Sequence, residues 1–133
     1  MNKILEPQWK SRGLQRLTRA LGHQAAGLRY GLLHDSAIRQ ITIGVLVLTV
    51  IALVMPVARI ERLLLILSVM LVGVIETLNS AIEACVDRIS HEDHLLSRVA
   101  KDYGSVAVGG AVLMAGLCWI VILGPHLLRL LNP

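Results

Sequence analysis

An all-α membrane fold follows from three features of this chain. More than half of its 133 residues are hydrophobic, yet Phe is absent and aromatic residues make up only 3%, so Leu, Val, Ile, Ala and Gly carry the apolar character. A soluble domain this small leaves much of its area in water and could not hide so much aliphatic surface, whereas lipid can cover it. Two stretches, 40–58 and 103–128, contain no Asp, Glu, Lys or Arg, and each is long enough to cross a hydrocarbon core of about 30 Å. The third feature is a basic amphipathic segment ahead of them. Together these predict a single membrane domain over residues 1–133: an N-terminal amphipathic interfacial helix followed by three transmembrane helices.

Residues 1–10, which include Pro7, read as a tail. Over 11–33, Leu14, Leu17, Leu21, Ala25, Leu28 and Leu32 recur at steps of three and four and so share one helix face. Arg12, Arg16, Arg19 and His23 follow the same spacing on another face. Such a helix suits the interface, with leucines among acyl chains and arginines among phosphates. The net charge of +4 is concentrated here: Lys3, Lys10, Arg12, Arg16, Arg19, Arg29 and Arg39 face only Glu6 and Asp35 within residues 1–40. A basic segment leading into apolar spans points to anionic headgroups and away from nucleic acid. The polar N-terminus gives no sign of a cleavable signal peptide.

The first transmembrane helix is expected over 36–56, ended by Pro56, where a turn belongs. The short link around Arg59, Glu61 and Arg62 forces the next helix, 60–90, to run back antiparallel. At 1.5 Å per residue that helix is about 45 Å long, so one end projects beyond the hydrocarbon. A polar turn, Ser90-His91-Glu92-Asp93-His94, precedes a third helix over 94–131, in which Ala107, Ala111 and Ala115 permit close helix packing. Cys85 and Cys118 lack metal-ligand spacing and read as small hydrophobic residues. A cytoplasmic N-terminus places ten basic residues inside and only Arg59, Arg62 and Arg129 outside, the asymmetry expected of a membrane protein with its N-terminus in.

The second transmembrane helix carries the chemistry. Glu76, Asn79, Ser80, Glu83 and Asp87 return to one helical face. A carboxylate within a membrane helix costs a few kcal/mol, so such residues face a bundle interior, water or a partner, and they mark a functional site. Measured from Arg62, Glu76 lies about 21 Å inward and Glu83 about 31 Å inward at helical rise. Glu76 is therefore expected in the apolar layer, where low polarity favours a carboxyl group that can accept a proton near neutrality. Glu83 is expected at the wet cytoplasmic end, where an ionised carboxylate can bind Mg²⁺. Lys101 opens the third helix on the same side and could neutralise phosphate charge, although a solvated helix start explains it equally well. His91 and His94 make only a weak metal pair, and no GxxxxGK[ST] phosphate loop occurs.

The run Glu76-Thr77-Leu78-Asn79-Ser80-Ala81-Ile82-Glu83, with Val86-Asp87-Arg88 and then Ala100-Lys101-Asp102-Tyr103-Gly104-Ser105, closely resembles the prokaryotic diacylglycerol kinase family. Gly27-Leu28-Arg29 and Ala37-Ile38-Arg39-Gln40 extend the resemblance, which covers most of residues 12–125. It implies a homotrimeric enzyme of the bacterial inner membrane that transfers the ATP γ-phosphoryl group to diacylglycerol, giving phosphatidic acid. It implies Glu76 as general base, Asn79 orienting groups at the reacting centre, and Glu83 with Asp35 as Mg²⁺ ligands. Arg16, His23, Asp35, Glu83, Glu92, Asp93, His94, Lys101 and Asp102 match nucleotide-side positions, and Arg29, Arg39, Glu76 and Ser105 match lipid-side positions. Two residues depart from the family pattern: Asp35 stands where Glu is usual, and His23 where an aromatic is common. Undecaprenol kinase, with the same chemistry on a polyprenol, is the close alternative. An ion- or proton-conducting membrane protein would explain the buried carboxylates but gives Lys101 and Asp102 no role.

Overall fold

A computed structural model describes residues 13–89, 92 and 94–131. The described residues form four helices, α1 (Leu14–His34), α2 (Ser36–Val54), α3 (Arg59–Ile89) and α4 (Leu95–Leu131). The last three are long and apolar enough to cross a membrane. The chain divides into two compact units, Met1–Asp35 and Ser36–Pro133.

In the first unit, α1 begins after Gly13, whose φ of 64° lies in the left-handed region that favours glycine. The Gly13 carbonyl accepts from the Arg16 and Leu17 amides, so the backbone itself starts the helix. The leucine face foreseen from the spacing is present, and Leu14, Leu17, Leu21 and Leu28 are all exposed. The helix ends at Asp35, which turns to extended geometry while its amide donates to Gly31 O at 2.8 Å.

The second unit is built on α3. Helices α2 and α4 each pack against α3, and among the described residues they do not pack on one another. Helix α2 stops at Val54, two residues before Pro56, because the residue preceding a proline is pushed out of helical geometry. The reversal into α3 is locked by side chains. Glu61 reaches back to accept from the Ala58 amide at 2.8 Å, which is half of a capping box. Arg62 Nη2 donates to Met55 O at 3.0 Å, satisfying a carbonyl left over at the end of α2. Hydroxyls within the spans are satisfied by their own helices: Thr42, Ser68 and Thr77 donate to the carbonyls of Ile38, Leu65 and Gly73.

The buried face of α3 runs through Leu65, Val69, Val72, Glu76 and Asn79. Alternating steps of four and three make a seam facing its neighbours, as in coiled coils. On α4 the matching line is made of small residues, Gly104, Ala111 and Ala115. Ala107, expected from four-residue spacing to join this contact, is exposed instead, because the packing follows a seven-residue repeat. Val72, Ala111 and Ala115 form the core, with Ile41 and Ile75 packed against it. Lower down, Trp119 Nε1 donates to Leu65 O at 3.3 Å, tying α4 to α3 by their interiors. Pro125 lies inside α4; it removes one helical hydrogen bond, which a membrane helix tolerates where neighbouring groups take over.

Because α2 and α4 meet α3 separately, an apolar groove of about 380 Å³ lies between them, lined among others by Ile41, Val45, Val72, Ala115, Gly116 and Trp119. The close packing at Ala111 generates a prediction. Ala111→Leu inserts three carbons into a seam with no room, so it is expected to lower stability by about 1–3 kcal/mol, while Ala111→Ser stays nearly neutral. Unfolding in mixed micelles followed by circular dichroism measures both.

Candidate active site

The polar stripe continues the seam that packs α3. Four residues beyond Val72 the same buried face presents Glu76, only 9% exposed, and then Asn79, 8% exposed. Glu83 and Asp87 follow at steps of four and are half-buried. Within the bundle, then, the first two members of the stripe are buried and the last two half-buried.

Asn79 is held from two sides. Its Nδ2 donates to Glu83 Oε1 at 3.1 Å, fixing one carboxylate oxygen of the residue one turn on. Its Oδ1 lies against Gly104 of α4, so closely that a Cβ at position 104 would collide with it. That oxygen is buried and has no hydrogen-bond partner among the described residues. Buried acceptors without partners are rare in native proteins and call for a functional or solvent explanation.

One turn towards the start of α4, Lys101 Nζ donates to Asp87 Oδ1 at 2.6 Å, an ion pair between half-exposed side chains on neighbouring helices. Residues 101 and 104 thus clasp 87 and 79 of the antiparallel helix. His94 has a structural task at the entrance to α4: the Leu96 amide donates to its Nδ1 at 3.2 Å, capping the helix with a ring nitrogen. The His94 amide also donates to Glu92 O at 2.9 Å, closing the turn.

The structure places Glu76 and Asn79 on the buried face of α3, with Asn79 joined to Glu83 and set against Gly104 of α4, and Lys101 of α4 joined to Asp87. Asp102 and Ser105 sit beside them on α4 and are exposed, as is Glu92; Arg39 is exposed on α2. Arg16, His23 and Arg29 lie on α1, with Asp35 at its end, in the separate first unit. Asp93, also expected on the nucleotide side, lies outside the described residues, as does His91. Two participants were given no definite role by sequence reasoning: Gly104, which lets Asn79 approach, and Asp87, which holds Lys101. The signal for Gly104 was present, since it stands seven residues before Ala111 on the packing line.

The Asn79–Gly104 contact can be tested without reference to chemistry. Gly104→Ala is expected to destabilise by about 1–3 kcal/mol through overpacking. Adding Asn79→Ala removes the group it strikes, so the double variant should recover a coupling of about 0.5–3 kcal/mol in a double-mutant cycle.

The model of the prokaryotic diacylglycerol kinase family matches residues 22–123, which include the whole stripe and the start of α4. The diacylglycerol kinase of Escherichia coli K12 is 47% identical over 114 residues, covering 86% of this chain and 93% of the relative. That of Pseudomonas aeruginosa is 41% identical over 111 residues, covering 84% and 90%. That of a Helicobacter pylori strain is 38% identical over 121 residues, covering 91% of each. With a family match over residues 22–123 and relatives of 38–47% identity across most of its length, the chain belongs to the prokaryotic diacylglycerol kinase family.

Proposed function

We propose that the protein phosphorylates diacylglycerol with ATP, giving phosphatidic acid and ADP. The observation that carries this reading is the single α3 face that presents a buried carboxylate, Glu76, and a half-buried one, Glu83, with Asn79 between them donating to Glu83. An acceptor alcohol dissolved in the bilayer and a phosphate donor dissolved in water must meet at a boundary. A stripe with Glu76 within the apolar span and Glu83 two turns nearer the polar turn before α4 would provide that boundary. The apolar groove supports a lipid acceptor. Its residue Val72 is one turn from Glu76, so acyl chains lying in the groove would bring a headgroup hydroxyl up to the carboxylate.

In this mechanism Glu76 accepts the proton of the lipid primary hydroxyl. The hydroxyl oxygen forms a bond to the γ-phosphorus as the bond from that phosphorus to the β–γ bridging oxygen breaks, and ADP leaves with the electron pair. Asn79, braced against Gly104, holds Glu83 in register. Lys101 offsets phosphate charge, with Arg16, His23, Glu92, Asp93, His94 and Asp102 on the nucleotide side, and Arg29, Arg39 and Ser105 on the lipid side. Phosphoryl transfer needs chiefly alignment and charge neutralisation, which these groups supply.

Mg²⁺ fits the donor set. Among the described residues no three acidic, His or Cys side chains cluster, but Mg²⁺ characteristically takes one or two carboxylates and completes its shell with phosphate oxygens and water. Glu83 would hold it from α3 and Asp35 from the end of α1, and the ion would supply neutralisation of the nucleotide phosphates. A homotrimer, in which neighbouring chains close the open side of each stripe, and an inner-membrane location with the N-terminus cytoplasmic complete the proposal. The ten-to-three distribution of basic residues supports that orientation.

Transfer of labelled phosphate from ATP to diacylglycerol in mixed micelles tests the function. The expected result is transfer that stops when EDTA removes the metal and that exceeds transfer to a polyprenol. Failure of the purified, folded protein to phosphorylate diacylglycerol would overturn the reading. Glu76→Gln is expected to lower kcat by roughly 10²–10⁴-fold, the range for loss of a general base, with helical content unchanged.

A further inference from the structure

We infer that Asp87 is a positioning residue that keeps the Lys101 ammonium away from Glu83, leaving that carboxylate available to a divalent cation; this rests on the kinase reading above. Lys101 reaches across from α4 to a face that carries two carboxylates one turn apart, Glu83 and Asp87. It is paired with Asp87 at 2.6 Å, and the charge of Glu83 acts on it as well. A lysine has a long flexible stem and a compact charge, so it can swing between acceptors separated by one helical turn, about 5.4 Å. The carboxylate nearer the reacting centre is Glu83, which Asn79 already orients through Oε1. If Lys101 settled there it would cancel the charge that attracts the metal.

Asp87 prevents this by offering the better partner. It is four residues further from Glu76, at the rim of the bundle, and both members of its pair remain partly exposed. The pair is thus anchored on one side yet open to solvent, so an arriving phosphate can share the ammonium without breaking a buried ion pair. The arrangement separates the two positive charges that phosphoryl transfer uses, the metal at Glu83 and the lysine at Asp87. It also explains why a membrane helix carries a third carboxylate that takes no part in the bond changes.

The test is Mn²⁺ binding to the full-length protein in micelles without nucleotide, followed by electron paramagnetic resonance, with the half-saturating Mg²⁺ of the kinase assay as a second readout. Asp87→Asn keeps the side-chain shape but removes the charge, freeing Lys101 to pair with Glu83. It is expected to weaken Mn²⁺ binding by about tenfold, the scale of one close charge pair near a protein surface, with Asp87→Glu restoring most of it. Adding Lys101→Met to Asp87→Asn removes the competing cation, so Mn²⁺ binding should return to at least the wild-type level. An Asp87 that merely braces the helices predicts the opposite: no recovery in the double variant, and a lowered melting temperature with unchanged metal affinity in the single one. Either of those results, or Asp87→Asn binding Mn²⁺ as tightly as wild type, overturns the inference. Wild-type protein that transfers phosphate but binds no Mn²⁺ also overturns it, whereas wild-type protein that transfers no phosphate would instead overturn the reading beneath it.

Discussion

The approach of α4 to α3 at Gly104 is the contact on which the site depends. Two helices cannot come this close where a side chain intervenes, and here the missing Cβ of Gly104 is replaced by the amide of Asn79. With its oxygen pressed against α4, the Asn79 amide presents its nitrogen to Glu83. The same register brings Lys101, one turn earlier, onto Asp87. A single backbone approach thus fixes two polar links, and the small residues Ala111 and Ala115 maintain it deeper in the membrane.

Placing carboxylates on a buried seam opposes stability. Within lipid the alternative to a protein partner is hydrocarbon, so polar groups must be gathered on the face that other helices cover. The α3 seam achieves this by using one stripe for both purposes, apolar from Leu65 to Val72 and polar from Glu76 onward. The apolar half lends rigidity to the polar half because both belong to one uninterrupted helix. Loop residues could not hold Glu76 and Glu83 at a fixed separation in the same way.

The groove left between α2 and α4 follows from the same plan. Both helices use α3 as their partner, so the space between them is lined by aliphatic side chains and Trp119. It leads towards the turn of α3 that carries Glu76. Apolar volume and a buried carboxylate therefore lie one turn apart along one helix, at Val72 and Glu76.

Much of this was legible in the residues alone. Hydropathy and charge located the three spans, since a helix must be apolar for about twenty residues to cross a bilayer. Helical periodicity placed Glu76, Asn79, Glu83 and Asp87 on one face, because a period of 3.6 is a local property of the chain. Caps were less legible: nothing in the local pattern showed that the His94 ring accepts from the Leu96 amide at the first turn of α4. Cross-helix partners were not legible at all. That Asp87 meets Lys101, that Gly104 rather than Ala107 faces α3, and that Asn79 is pinned between two helices depend on the register of antiparallel packing. Register arises from the summed fit of many side chains along the seam and not from any local spacing, so only the folded chain could decide it.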